Sequence, residues 1–184
     1  MNRSVWAWSW LVSLLMVTGN PLLAAETKGL ESITLKVDPP NAKPGETVTL
    51  LVEVKLAKDH YTYPTQQISP EAQLQTNRFQ VMKSKEFIVV GGVIDPKGGE
   101  IKKDGDMEYL IYPNGGVFSQ KVVVSPKITE GDHTITVKFR PLICTKDNCY
   151  PPKDQTLSAT IKVSGPPVPV EEKYKSAVER AIKE

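Results

Sequence analysis

Val48-Thr-Leu-Leu-Val-Glu-Val-Lys-Leu56 carries an apolar side chain at every second position. A period of two lines Val48, Leu50, Val52, Val54 and Leu56 along one face of an extended strand, whereas a helix needs a period near 3.6. The alternation recurs on both sides of this run. Ile33, Leu35 and Val37 carry it upstream. Downstream, Ile135, Val137 and Phe139 alternate with Thr134, Thr136, Lys138 and Arg140, and Leu157, Ala159, Ile161 and Val163 form the last set. Shorter candidates are Phe79–Val81, Phe87–Val90, Met107–Ile111 and Val117–Val124. Each offers one face to a core and one to water.

Turn chemistry separates these runs: Asp38-Pro-Pro-Asn41, Pro44-Gly45, Asp95-Pro-Lys-Gly-Gly99, Asp104-Gly105, Pro113-Asn-Gly-Gly116 and Glu130-Gly-Asp132. About seven to nine short strands with no long helical pattern between them predict an all-β fold, an antiparallel β-sandwich. The staple of two cysteines on facing sheets around a core tryptophan is absent, because the two cysteines are close in sequence. Ser69–Asn77 reads as a loop or a single helical turn. Gly91-Gly92 and Gly98-Gly99 read as hairpin turns, since no Gly-Lys-Ser/Thr follows to make a phosphate loop.

Both ends differ in character from the middle. Residues 1–25 read as a signal peptide: Arg3 is followed by the apolar run Val5–Val17, then by Gly19, Pro21 and the small pair Ala24-Ala25. The run is short for a membrane span, and no cysteine follows it for lipid attachment. The expectation is a periplasmic or secreted protein with no integral membrane domain after signal cleavage; an uncleaved N-terminal anchor is the other reading. All three tryptophans lie in this segment. Residues 26–164 form the expected β-domain. Residues 165–184 begin with the stiff spacer Gly165-Pro-Pro-Val-Pro169. Tyr174, Ala177, Val178, Ala181 and Ile182 then fall on one face of a short amphipathic C-terminal helix. That helix either packs on its own domain or docks on a partner.

The formal net charge of +2 falls to +1 without Arg3, and charges of both signs are interspersed, which gives no footprint for nucleic acid or a membrane surface. Two cysteines with His60 and His133 lack zinc-ligand spacing, so no metal is expected.

The two cysteines stand in Cys144-Thr-Lys-Asp-Asn-Cys149-Tyr-Pro-Pro152, after the strand-like run Thr134–Arg140. An even cysteine count in an exported chain permits a disulfide. So short a loop gives a bridge worth only about 2 kcal/mol, a small gain for a sandwich with this many apolar strands. A polar loop leaves the bridge open to a partner's thiolate, and Pro151 and Pro152 stiffen the segment leaving Cys149. On the residues alone, two functions stand. One is thiol–disulfide exchange. The other is a non-enzymatic binding module in which the pair is a structural turn disulfide.

Cys144-x4-Cys149-Tyr-Pro-Pro after an edge-like strand resembles the N-terminal periplasmic domain of the DsbD family of thiol:disulfide interchange proteins. Tyr112–Phe118 with Lys121–Val124 is similar to that family's aromatic turn and following strand, and Glu130–His133 to the hairpin before the first cysteine. His60-Tyr-Thr-Tyr63 echoes a His-x-Tyr stretch, so the resemblance covers about Leu30–Val163. It implies an immunoglobulin-like fold and a protein-disulfide reductase module that works without a cofactor. It implies that Cys149 forms the mixed disulfide with exported partner proteins and that Cys144 resolves it. It also implies a loop of aromatics over the pair, for which Met107–Tyr112 is the matching stretch. Tyr109, Tyr112 and Tyr150 are the cap or site-lining candidates within a wider set that includes Tyr61 and Tyr63. The family's acidic pair is out of register here, with Asp106 and Glu108 nearby. The chain ends at Glu184 with neither membrane spans nor a thioredoxin-like domain. The expected electron donor is therefore a separate membrane DsbD-like or thioredoxin-like protein.

Overall fold

The computed structural model describes residues 27–183; the signal peptide read over residues 1–25 lies outside the described residues. The alternating runs become strands. In chain order these are β1 (Leu30–Asp38), β2 (Asn41–Ala42), β3 (Thr47–Leu56), β4 (Tyr61–Thr62), β5 (Arg78–Val81), β6 (Phe87–Ile94) and β7 (Glu100–Asp104). There follow β8 (Met107–Pro113), β9 (Gly115–Val124), β10 (Gly131–Arg140), β11 (Ile143–Cys144), β12 (Cys149–Tyr150) and β13 (Gln155–Val163). Helix α1 (Glu172–Lys183) ends the chain. Ser69–Asn77 is a succession of turns held by Gln73 N–H to the Pro70 carbonyl and Gln75 N–H to the Ala72 carbonyl.

The fold is an immunoglobulin-like β-sandwich. One sheet has the order β1-β3-β9-β6 and the other β2-β13-β10-β5. All pairings are antiparallel except that of β2 with β13. The inward positions of β3, from Val48 to Leu56, meet Phe118, Val122 and Val124 of β9, and Ile135, Val137, Phe139, Ile161 and Val163 of the opposite sheet. Phe118 and Phe139 lie at the centre with ring centroids 5.0 Å apart. β10 lies between β13 and β5, so the strand that leads to the cysteines is interior and not an edge. Gly91 and Gly92 lie inside β6, where its register with β9 shifts between Val90 and Ile94, so only Gly98-Gly99 sits in a turn between strands.

β9 is apolar on both faces at Val122-Val123-Val124 because both faces are covered. Val122 and Val124 enter the main core, and Val123 joins Ile88 and Val90 beneath α1. The helix lays Tyr174, Ala177, Val178, Ala181 and Ile182 on that patch, so it packs on its own domain. Glu172 in its first turn and Arg180 and Lys183 in its last complement the helix dipole. The spacer before it is tied down by Val168 N–H to the Pro44 carbonyl at 2.8 Å. Gly45, at φ +92°, permits this approach, since a Cβ there would stand 2.1 Å from the Val168 oxygen.

A third, smaller sheet has the order β12-β11-β4-β8-β7 and carries both cysteines. Among the described residues no helix is long and apolar enough to cross a membrane.

Candidate functional site

Ladder register decides which side chains of the small sheet meet. Residues directly opposite each other point to the same side, and neighbours along a strand point to opposite sides. Cys144 lies opposite Cys149 on β12 and opposite Tyr61 on β4, and Tyr61 lies opposite Pro113 on β8. Ile111 and Tyr109, two and four positions before Pro113, share that side, as does Tyr63, two positions after Tyr61. The structure gathers Cys144, Tyr63 and Ile111 into one buried cluster, with Tyr61, Tyr109 and Leu142 packed against it. Ile143, Tyr150, Thr62 and Tyr112 occupy the other side, and Ile143, Tyr112 and Tyr150 belong to or pack against the main core.

The sequence-derived candidates therefore separate. Cys144 and Cys149 are joined by a disulfide. Tyr109 reaches the cysteine side, 6.3 Å from the Tyr63 ring. Tyr112 is buried against Phe118 in the sandwich core, with ring centroids 6.1 Å apart. Tyr150 adjoins Cys149 in sequence yet faces away from the cluster, stacked on His60 at 5.8 Å with Lys28 Nζ 4.8 Å from its ring. The stretch Met107–Tyr112, expected as a covering loop, is part of strand β8, which forms an antiparallel pair with β7.

The two sulfurs have unequal surroundings. Cys144 is fully buried, whereas Cys149 is exposed at the edge of the sheet. The loop between them is closed by Thr145 N–H to the Asn148 carbonyl at 2.8 Å. Tyr63, 2% exposed, donates its hydroxyl to Cys144 Sγ at 3.4 Å and stands 4.0 Å from Cys149 Sγ. Burial, followed by the neighbouring hydroxyls of Tyr61 and Tyr109, pushes the Tyr63 phenol far above the ordinary tyrosine range. It stays protonated and hence a donor. Sequence reading placed Tyr63 in the set of five tyrosines without singling it out. The usable signal is the spacing Tyr61-x-Tyr63, which puts both rings on one side of a strand.

Polar side chains hold this arrangement. Gln67 pairs with the Leu110 backbone in both directions, its Nε2 donating to the carbonyl at 3.0 Å and its Oε1 accepting from the N–H at 2.8 Å. Ser69 Oγ donates to the Glu108 carbonyl at 2.9 Å. Two side chains thus strap the 64–77 segment to β8. A groove of about 900 Å³ lies beside the disulfide loop, lined by Tyr61, Ile111 and Pro113 and by Glu100, Lys102 and Lys146 among others. His60 and His133 are engaged elsewhere, His60 on Tyr150 and His133 Nδ1 at 3.2 Å from Glu86 Oε1.

Residues 34–161 match the family model described as thiol:disulfide interchange protein DsbD, N-terminal. Among solved structures, the chain is similar to the N-terminal periplasmic domain of ScsB from Proteus mirabilis, at 14% identity and a TM-score of 0.43, over 78% of this chain and 50% of that one. The chain thus spans half the length of that structure. It is similar to the N-terminal domain of DsbD from Neisseria meningitidis in the reduced form, at 14% identity and a TM-score of 0.38, covering 71% and 86% of the two chains. A cohesin–dockerin complex from Clostridium thermocellum matches at 15% identity and a TM-score of 0.39, over 72% of this chain and 99% of that one. No curated protein sequence matches the chain.

Proposed function

Because this chain belongs to the family of DsbD N-terminal domains, we propose that it performs thiol:disulfide interchange in the cell envelope, through Cys144 and Cys149. The observation that carries the reading is a single disulfide with one buried and one exposed cysteine. A structural staple gains nothing from that asymmetry. An exchange site needs it, because one sulfur must be reached by the partner while the other waits behind it.

The reaction starts from the reduced pair. The Cys149 thiolate attacks one sulfur of a partner disulfide, forming a Cys149–partner bond and expelling the partner's other sulfur as a thiolate, which takes up a proton. Cys144 loses its proton and attacks Cys149 Sγ, which closes the internal disulfide and releases the second partner thiol. Two electrons have passed to the exported protein. A dithiol on a separate membrane DsbD-like or thioredoxin-like protein returns them by the reverse sequence. The cysteines carry the electrons throughout, and periplasmic or secreted localisation supplies the oxidising setting.

Single-cysteine variants test this. Cys144→Ser leaves the exposed Cys149 and is expected to accumulate mixed disulfides with exported proteins, visible as reducible high-mass species. Cys149→Ser leaves a buried thiol and is expected to trap few. A chain in which neither variant traps a partner is not an exchange protein. The reduction potential of the pair gives a second reading. A value below about −300 mV marks a structural bridge and supports the binding-module alternative, whereas a value among working exchange proteins supports interchange.

A further inference from the structure

Pairing between β4 and β11 sets Tyr61 against Cys144 and Thr62 against Ile143. One step further, the ladder would set Tyr63 against Leu142. At that step the side chain of Asn77 stands between the strands. Leu142 N–H donates to Asn77 Oδ1 at 2.8 Å, and Asn77 Nδ2 donates to the Tyr63 carbonyl at 2.5 Å. The side-chain amide takes the place of one direct backbone bond and presents the donor and acceptor that a peptide group would. Thr62 Oγ1 lies within reach of the same Oδ1, at 3.0 Å, and of the Leu142 carbonyl, at 2.9 Å. Asn77 is 2% exposed, and its own N–H is bonded to the Pro64 carbonyl at 2.8 Å. Every polar atom of this buried amide thus has a partner, and the partners lie on the two segments that carry Tyr63 and Cys144.

We propose that Asn77 is a positioning residue for the interchange reaction. Its amide spaces β4 from β11, so that the Tyr63 hydroxyl meets Cys144 Sγ, and it thereby sets the balance between the oxidised and reduced pair. The inference rests on the interchange reading above. When a donor thiolate attacks Cys149 Sγ and opens the Cys144–Cys149 bond, the electron pair of that bond goes to Cys144 Sγ, which departs as a thiolate. A thiolate is a stronger hydrogen-bond acceptor than a disulfide sulfur, so the Tyr63 contact favours the reduced form. Moving the hydroxyl away removes that preference. Asn77 touches neither sulfur, and its effect passes entirely through the backbone of Tyr63 and Leu142.

The test is the equilibrium of the cysteine pair with glutathione, measured on the full chain and on Asn77→Ala, Tyr63→Phe and the double variant. Asn77→Ala is expected to shift the equilibrium about fivefold toward the oxidised form, the scale of one net hydrogen bond. Tyr63→Phe is expected to shift it similarly, and the double variant no further than Tyr63→Phe alone. Should Asn77→Ala fail to fold, Asn77→Asp carries the same comparison, because it keeps the acceptor for Leu142 and loses the donor to Tyr63. An Asn77 variant with an unchanged equilibrium overturns the proposal. So does a shift of equal size with and without the Tyr63 hydroxyl, which would mark a merely structural role. This measurement uses a small thiol and needs no protein partner. Its failure is therefore distinct from a failure of Cys144→Ser to trap exported proteins, which would sink the interchange reading itself.

Discussion

Tyr63 carries the largest electrostatic departure among the described tyrosines for which a shift is resolved, and it does so beside a buried sulfur. In the unfolded chain its phenol ionises near pH 10, about the ordinary tyrosine value. In the fold it stays neutral well above that. A raised value contributes stability that is fully present below the unfolded pKa and is lost as pH rises through the folded one. Denaturation at about pH 9 to 11 is therefore expected to show unfolding free energy falling with pH, and falling less steeply in Tyr63→Phe. Equal slopes would show that Tyr63 ionises normally. At this scale the sequence displayed the residue types but not their roles. Tyr109, Tyr112 and Tyr150 look alike on paper, yet Tyr112 and Tyr150 lie on the opposite face of the small sheet from Cys144. Asn77 offered no signal, because a polar residue at the end of a loop looks solvated until the strands that bury it are known.

Short elements position the site, and long ones hold the framework. β4 and β11 are two residues each, too short for periodicity to reveal them. Their placement comes from the Asn77 amide and from the pairing of β4 with β8. The five apolar alternations of β3, by contrast, were legible at once and form the core they predict. Helix α1 was legible as amphipathic, but not its docking face, because the sequence does not say that Val123 points outward from β9. Val178, on the inner face of that helix, is 3% exposed. Val178→Asp is expected to cost about 2–3 kcal/mol and to raise amide exchange along α1, while the glutathione equilibrium of the cysteine pair stays unchanged. A shifted equilibrium would mean that the helix communicates with the disulfide. Gly45→Ala adds a methyl at positive φ against the Val168 carbonyl and is expected to cost more than about 1 kcal/mol in chemical denaturation.

Across the whole molecule, the main core lies in the sandwich and the disulfide in the small sheet beside it. Phe118 is fully buried between the two large sheets, so Phe118→Ala is expected to cost about 3–5 kcal/mol. Opening the disulfide releases only a short loop and is expected to cost about 2 kcal/mol or less. Thermal or chemical denaturation of the oxidised and reduced chain compares the two. A much larger loss on reduction would make the bridge a staple. A domain that keeps its core when its disulfide opens can cycle between redox states without unfolding.

The sequence by itself determined the β-class, the long alternating strands, the amphipathic C-terminal helix and the closeness of the two cysteines along the chain. Each of these depends on local periodicity, turn chemistry or proximity along the chain. The tertiary structure alone decided which cysteine is buried, which tyrosine meets it and which amide spaces the strands between them. Those facts depend on register between segments as far apart as Tyr63, Asn77 and Cys144, and one step of register turns every side chain to the other face.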